Sequence, residues 1–290
     1  LRAAARRLPW PAGEARRTLR AAAIALFARA GGRADESLAF VEALRNDGGF
    51  AEGEGLMPGD ETAEGANPWL DASSIHSIAG DRAGAETLLE AVIAENPDDA
   101  MALNNLGYAR LEDGFLDEET RGMLERAFEL RPSDPHILDS LGWLRYRDGV
   151  LEDDDEGDGE GDAEEKTRFG AISLLEQAVR LGGVNPSLEG LDHLGDALWR
   201  AGRRDEAVEA WRRALEIGLR RFEPEGTTRG IEAFQRRAFG MVVRDPTAFY
   251  EESYGEPIAR VRAKLRAVRD GTAPAIAASM ALPPSCRMRI

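Results

Sequence analysis

One cysteine in 290 residues, Cys286, cannot close a disulfide within the chain, so the fold neither depends on an oxidising compartment nor excludes one. Lysine is almost missing: Lys166 and Lys264 are the only two among 37 basic residues, a skew that reads as genomic base composition and carries no function. Aromatics are 7% of the chain, and no stretch alternates apolar and polar residues with β-branched enrichment, so the usual sign of strands is missing. There is also no run of about 18 apolar residues, the length a membrane-spanning helix needs. Direct membrane insertion by this sequence is therefore not expected.

Chemistry-bearing groups are as sparse. The histidines are His76, His136 and His193, far apart and with no second histidine at ligand spacing, which leaves a structural metal site or a Cys/His nucleophile unsupported. The serines at 73, 74, 77 and 140 lack a Gly-x-Ser-x-Gly context. The glycines of GDGEGD at 157–162 lie among carboxylates that repel phosphate, so the usual nucleotide loops are excluded. Paired carboxylates abound, but 53 acidic residues produce pairs by chance and nothing singles one out. The expectation is a protein that is not an enzyme, with no catalytic residue, no metal and no cofactor.

What is present is alanine, leucine, glutamate and arginine, 43% hydrophobic overall, which reads as an all-α chain. The formal net charge of −16 would repel phosphate backbones, so nucleic acid is not an expected partner. The first residue is Leu1 rather than Met, which suggests a processed or truncated N-terminus and leaves the compartment open between cytoplasm and periplasm or cell envelope.

Self-alignment gives three segments with one skeleton: Leu106-Gly107, Leu141-Gly142 and Leu194-Gly195, followed by Gly114, Gly149 and Gly202, and then by Ala127, Ala178 and Ala214. An earlier copy has Gly80, Ala85 and Leu89, closed by Pro97, and a fainter one has Ile24, Gly32, Ser37, Val41 and Leu44. Each unit reads as a helical hairpin in which a glycine ends the first helix and small residues let the second approach closely. One hairpin cannot bury both of its apolar faces, so the units must stack. Helix starts are marked at Asp98-Asp99, at Ser133-Asp134 before Pro135 and at Asn185-Pro186-Ser187.

The segments ALNNLGYARLEDG, HILDSLGWLRYRDG and LDHLGDALWRAGRRDEAVEAWRRALEI resemble the tetratricopeptide repeat (TPR) family, strongly over 66–218 and weakly over 18–46. They are similar to repeats of bacterial, often cell-envelope, members. The resemblance implies a TPR-type α-solenoid. Departures are Glu119 where the second helix usually opens with alanine, one extra residue in that hairpin, and Val92 in place of a small residue.

The period breaks twice. Residues 47–65 are acidic, glycine-rich and aperiodic, a linker between an N-terminal region, 1–46, and the array, 66–222. Within the array Ala127 and Ala178 are too far apart for one period, which places an insertion at about 152–168, EDDDEGDGEGDAEEKTR, too charged to be ordered by burial. Asp154, Glu156, Asp158, Gly159 and Glu165 also match the spacing of a calcium loop, but Gly161 stands where an apolar residue belongs, so a solvated loop is the preferred reading. Residues 223–270 are expected to supply capping helices, and 271–290 a flexible tail.

In this family the first helices line the concave face, and residues one turn apart share it. The projected groove comprises Asn104, Tyr108, Asp139, Trp143, Tyr146, Asp192, Asp196 and Trp199, with Leu111 on the same face and Arg147 and Arg200 at its edge. The family's carboxylate clamp has lysine, arginine and asparagine here, whereas this chain has Asp139 and Asp192. Aromatics with aspartates suit an extended protein or peptide segment bearing basic residues. Trp199 is as well suited to packing between hairpins, and His193 to packing or bonding within its own hairpin. The function expected is a non-catalytic protein-interaction scaffold or adaptor, in the setting of cell-envelope assembly that the resemblance implies. The alternative is a non-catalytic region of a larger enzyme or secretion machine.

Overall fold

The structure, a computed structural model, describes residues 37–39, 41, 68–78, 80–153, 169–184, 186–222 and 256–278. The N-terminal degenerate repeat apart from four residues, the 47–65 linker, nearly all of the acidic insertion, the first part of the expected capping region and the end of the tail lie outside the described residues. Among the described residues there are helices and no strands: α1 (Pro68–Ile78), α2 (Arg82–Glu95), α3 (Ala100–Glu112), α4 (Glu118–Leu130), α5 (Pro135–Asp148), α6 (Ala171–Leu181), α7 (Leu188–Arg200), α8 (Arg204–Phe222) and α9 (Glu256–Arg269).

Helices begin where the sequence supplies a capping side chain. Asp81, Asp99, Asp117 and Asp134 each accept a hydrogen bond from a backbone N–H in the first turn of α2, α3, α4 and α5, and Ser187 does the same for α7. Pro135 occupies the first turn of α5 behind its aspartate. First helices end on the recurrent glycine. At Gly149, φ is 80°, and Val150 N–H donates to Arg145 O while Gly149 N–H donates to Tyr146 O. This closure needs a left-handed residue, which is why glycine recurs there. The same pair of bonds follows α1, α3 and α7 at Gly80, Gly114 and Gly202.

The chain divides into two units, the boundary falling after Ala102 inside α3. In the first unit α1 and α2 form one hairpin, its core including Ile75, Leu88 and Val41. The second unit holds three hairpins in chain order, α3–α4, α5–α6 and α7–α8. Helix α4 packs on α5, α6 on α7, and α7 reaches back to α5, while α9 covers α8 and touches α7. This adjacency of each hairpin with the next is a TPR-like stack, all-α in class.

The repeat glycines act at the hairpin crossings. A Cβ on Gly107 would lie 2.9 Å from Leu124 Cγ, one on Gly142 2.8 Å from Leu175 Cγ, and one on Gly195 2.2 Å from Trp211 Nε1. Each seated residue lies one helical turn before a landmark alanine, Ala127, Ala178 or Ala214, and all three alanines are buried. A single contact thus repeats in register three times.

The ends of the acidic insertion are tied together. Ala171 and Ile172 N–H donate to Val150 and Leu151 O, and Asp153 Oδ1 accepts from Gly170 N–H at 2.7 Å and from the Ser173 hydroxyl. Gly170 stands at the N-cap of α6 with no side chain to cap it, and Asp153 fixes the start of the helix from outside by holding the Gly170 N–H and the Ser173 hydroxyl. The turn is therefore closed at Leu151 and Asp153, so the ordered part reaches into the first residues assigned to the insertion.

Candidate functional site

The face built by α3, α5 and α7 in the second unit gathers most of the projected groove residues. Trp143 stacks on His193 at 4.0 Å between ring centroids and on Tyr146 at 4.6 Å, and its indole N–H donates to Glu112 at 2.8 Å. The Arg147 guanidinium lies 5.9 Å from the Trp143 ring centroid. Trp143 is 4% exposed, so its ring is held between hairpins. Tyr108, half-buried, tilts toward His193; burial first, then the carboxylates of Glu112, Glu189 and Asp139, raise its phenol well above the ordinary value and keep it a donor.

His193 Nδ1 pairs with Asp139 Oδ1 at 2.9 Å. The partner is on α5, the preceding hairpin, so this histidine links hairpins and does not stay within its own. Burial opposes its charge, but Asp139, with Asp192 and Glu189 behind it, outweighs burial and holds the imidazole above its ordinary pKa. Asn104 is buried, its amide N–H donating to Asn105 while its own carbonyl has no partner among the described residues.

Asp192 and Asp196 share one face of α7 and point into a buried cluster. Lys264 from α9 donates to Asp192 Oδ1 at 2.7 Å and to Asp196 Oδ1, and Arg260 Nε donates to Asp192 Oδ2 at 2.8 Å. Lys264 and both aspartates are 2–3% exposed. Removing one member of such a cluster leaves an uncompensated buried charge, a loss of about 3–5 kcal/mol. Burial raises Asp196 above the usual carboxylate range, with Lys264 pulling the other way and Asp192 adding to the rise. These two cations were not anticipated from the sequence. A signal existed: Lys264 lies on the apolar stripe of α9, with Ile258, Val261 and Leu265, where a charge has to find a partner.

Beyond α9 the chain lies on the same face. It leaves the helix at Gly271 and runs non-helically to residue 278, burying Pro274 and half-burying Ile276 while Ala273 and Ala275 stay exposed. The peptide groups of Ala277 are held on both sides. Its N–H donates to Asp196 Oδ2 at 3.0 Å, and its carbonyl accepts from the Tyr146 hydroxyl and from Arg200. Arg200 also covers the Tyr146 ring at 3.9 Å. Residues 271–278, expected to be the start of a flexible tail, are thus in contact with α5 and α7.

Trp199 stands at the margin, half-buried, tilted against Trp211 at 5.6 Å and covered by Arg204.

In the first unit Ser37 Oγ lies 2.8 Å from His76 Nε2 and His76 Nδ1 lies 2.8 Å from Asp81 Oδ2, the order of a Ser-His-Asp relay. Ser37 and His76 have no exposed surface, and Asp81 Oδ1 caps α2, so these groups tie a core together. No sequence motif marked them, because Ser37 is 39 residues from His76. Among the described residues there is no group of three or more His, Cys, Asp or Glu placed to hold a metal, and no helix long and apolar enough to cross a membrane.

No protein-family model matches the chain, and no curated protein matches it significantly. Among solved structures it is similar to two crystal structures of MamA. One is 20% identical over 65% of this chain and 95% of that one, with a TM-score of 0.35; the other is 19% identical over 69% and 92%, with a TM-score of 0.36. The helical-repeat class rests on the hairpin packing itself.

Proposed function

We propose that the chain is a non-catalytic protein-interaction scaffold and that the face formed by α5 and α7 receives an extended segment of a protein partner. The observation that carries this reading is the grip on Ala277, whose N–H and carbonyl meet Asp196, Tyr146 and Arg200. Those three side chains bond to the N–H and carbonyl that any non-proline residue of an extended segment carries, as peptide-binding faces require. Lys264 and Arg260 already satisfy the α7 carboxylates, so the unit of recognition is the peptide backbone and not a partner's cations.

The test is proximity labelling on the full-length chain. A photo-reactive residue in place of Trp199, at the margin of this face, should cross-link extended peptides from a defined library. The same group in place of Val184, on the exposed connection between α6 and α7, should not. Equal labelling at both positions, or labelling only at Val184, overturns the reading.

A further inference from the structure

Past Gly271 and Thr272, whose bonds to Val268 and Ala267 close α9, residues 273–278 meet the rest of the unit through the backbone groups of Ala277 and through the packing of Pro274, Ile276 and Ala277. Ala273 and Ala275, which alternate with Pro274 and Ile276, are exposed. Such an arrangement belongs to a bound peptide more than to a core element, because over 273–278 the ties to this sequence are shape alone, at Pro274, Ile276 and Ala277.

We propose that residues 273–278 are a built-in occupant of the peptide-binding face, and that the partner carries the same pattern, proline–any–aliphatic followed by a residue that is not proline, and displaces them. The inference rests on the reading of this face given above and names its ligand and its control. Each element of the pattern has a physical source. Pro274 fits where no N–H is used and where a ring fills a buried site. Ile276 supplies half-buried apolar area. The next residue must keep its N–H, since Asp196 Oδ2 otherwise faces no donor from the segment. Apolar side chains at the exposed positions contribute nothing, so the partner is free there. A tethered segment is present at high effective concentration, so a partner binds only by outcompeting it.

The probe is a labelled peptide of this chain's own residues 273–278, titrated into the full-length protein and two full-length variants. Ala277→Pro deletes the N–H given to Asp196 while leaving the preceding residue extended. Ile276→Asp places a charge at the half-buried position and, by a separate route, serves if the first variant perturbs α9. Hydrogen exchange over 273–278 reports whether the segment has left, and melting reports whether the unit has stayed folded. If the segment is docked in about nine molecules of ten or more, freeing the face tightens the probe's apparent affinity about ten-fold or more. The expected result is that gain in both variants, lost again when Tyr146→Phe is added or when the probe's aliphatic residue is replaced by aspartate. Equal affinity for parent and released variants overturns the inference and leaves the peptide-face reading standing. No binding to a folded variant whose segment has left overturns both.

Discussion

Trp143 illustrates how a residue can be placed correctly along the chain and still change its role. Its spacing puts it on the face shared by Asp139 and Tyr146, and spacing alone makes it an exposed anchor. In the fold that face is occupied: His193 and Tyr146 stack on the indole, and Glu112 takes its N–H. Helical periodicity tells which residues share a face, but what covers that face, His193 from the next hairpin and Ala277 over Tyr146, lies far along the chain, and no local pattern encodes it. Trp143→Ala is therefore expected to act on stability. Truncating a buried tryptophan commonly costs about 3–5 kcal/mol, and Glu112 would lose its partner as well. A thermal melt of the purified variant checks this, and an unchanged midpoint with weakened peptide binding would restore the anchor role.

At the scale of the helical hairpin the sequence was most legible, since the glycine and alanine landmarks are the contact points themselves. Gly195 shows why. A Cβ there would overlap the Trp211 indole, and Trp211 has no exposed surface and no room to retreat. Gly195→Leu should destabilise by at least the 1–3 kcal/mol or so typical of overpacking, and Gly195→Ala should already show part of it; an unaltered melt for leucine would refute the crossing geometry. The acidic insertion is the complementary case, visible as a break in period but not in its exact limits, because Asp153 has the composition of the insertion yet bonds to Gly170 and Ser173 at the start of α6. Joining Asp153 to Phe169 through a short glycine linker should change stability by less than about 1 kcal/mol, since loop closure depends only logarithmically on length. Asp153→Ala, in contrast, should cost about 1 kcal/mol or more, since it removes the acceptor of two hydrogen bonds that tie the ends of the insertion. Denaturant titration of both separates them, and equal losses would show that residues 154–168 themselves contribute to folding.

Across the whole molecule the charge balance sets how stability responds to pH. With 53 acidic against 37 basic residues the chain is strongly anionic at neutral pH, and each proton lost adds to self-repulsion. Within that background His193 is buried between hairpins, and Asp139, Asp192 and Glu189 hold its pKa above the ordinary value against the opposing effect of burial. A folded-state pKa that is raised contributes stability that is complete below the unfolded value, about 6.5 for histidine, and is lost as pH rises through the folded value. Asp196, also raised, acts in the same sense but from the carboxylate range upward. The lowered carboxylates Asp117, Glu206 and Asp270 act in the opposite sense, losing their contribution as pH falls, and they are exposed. The alkaline side of neutrality therefore belongs to His193. The melting midpoint should fall as pH is raised from about 6 to about 9, spanning the histidine range. His193→Gln keeps a donor toward Asp139 but cannot titrate, so it should lose the part of that slope that exceeds general self-repulsion, and its curve should be flatter than the parent's. His136→Gln leaves this cluster untouched and should follow the parent. Melting curves of the three proteins across that range decide the matter: parallel slopes for parent and His193→Gln would mean that the imidazole carries no extra proton in the fold and that Asp139 holds it as a neutral hydrogen-bond donor.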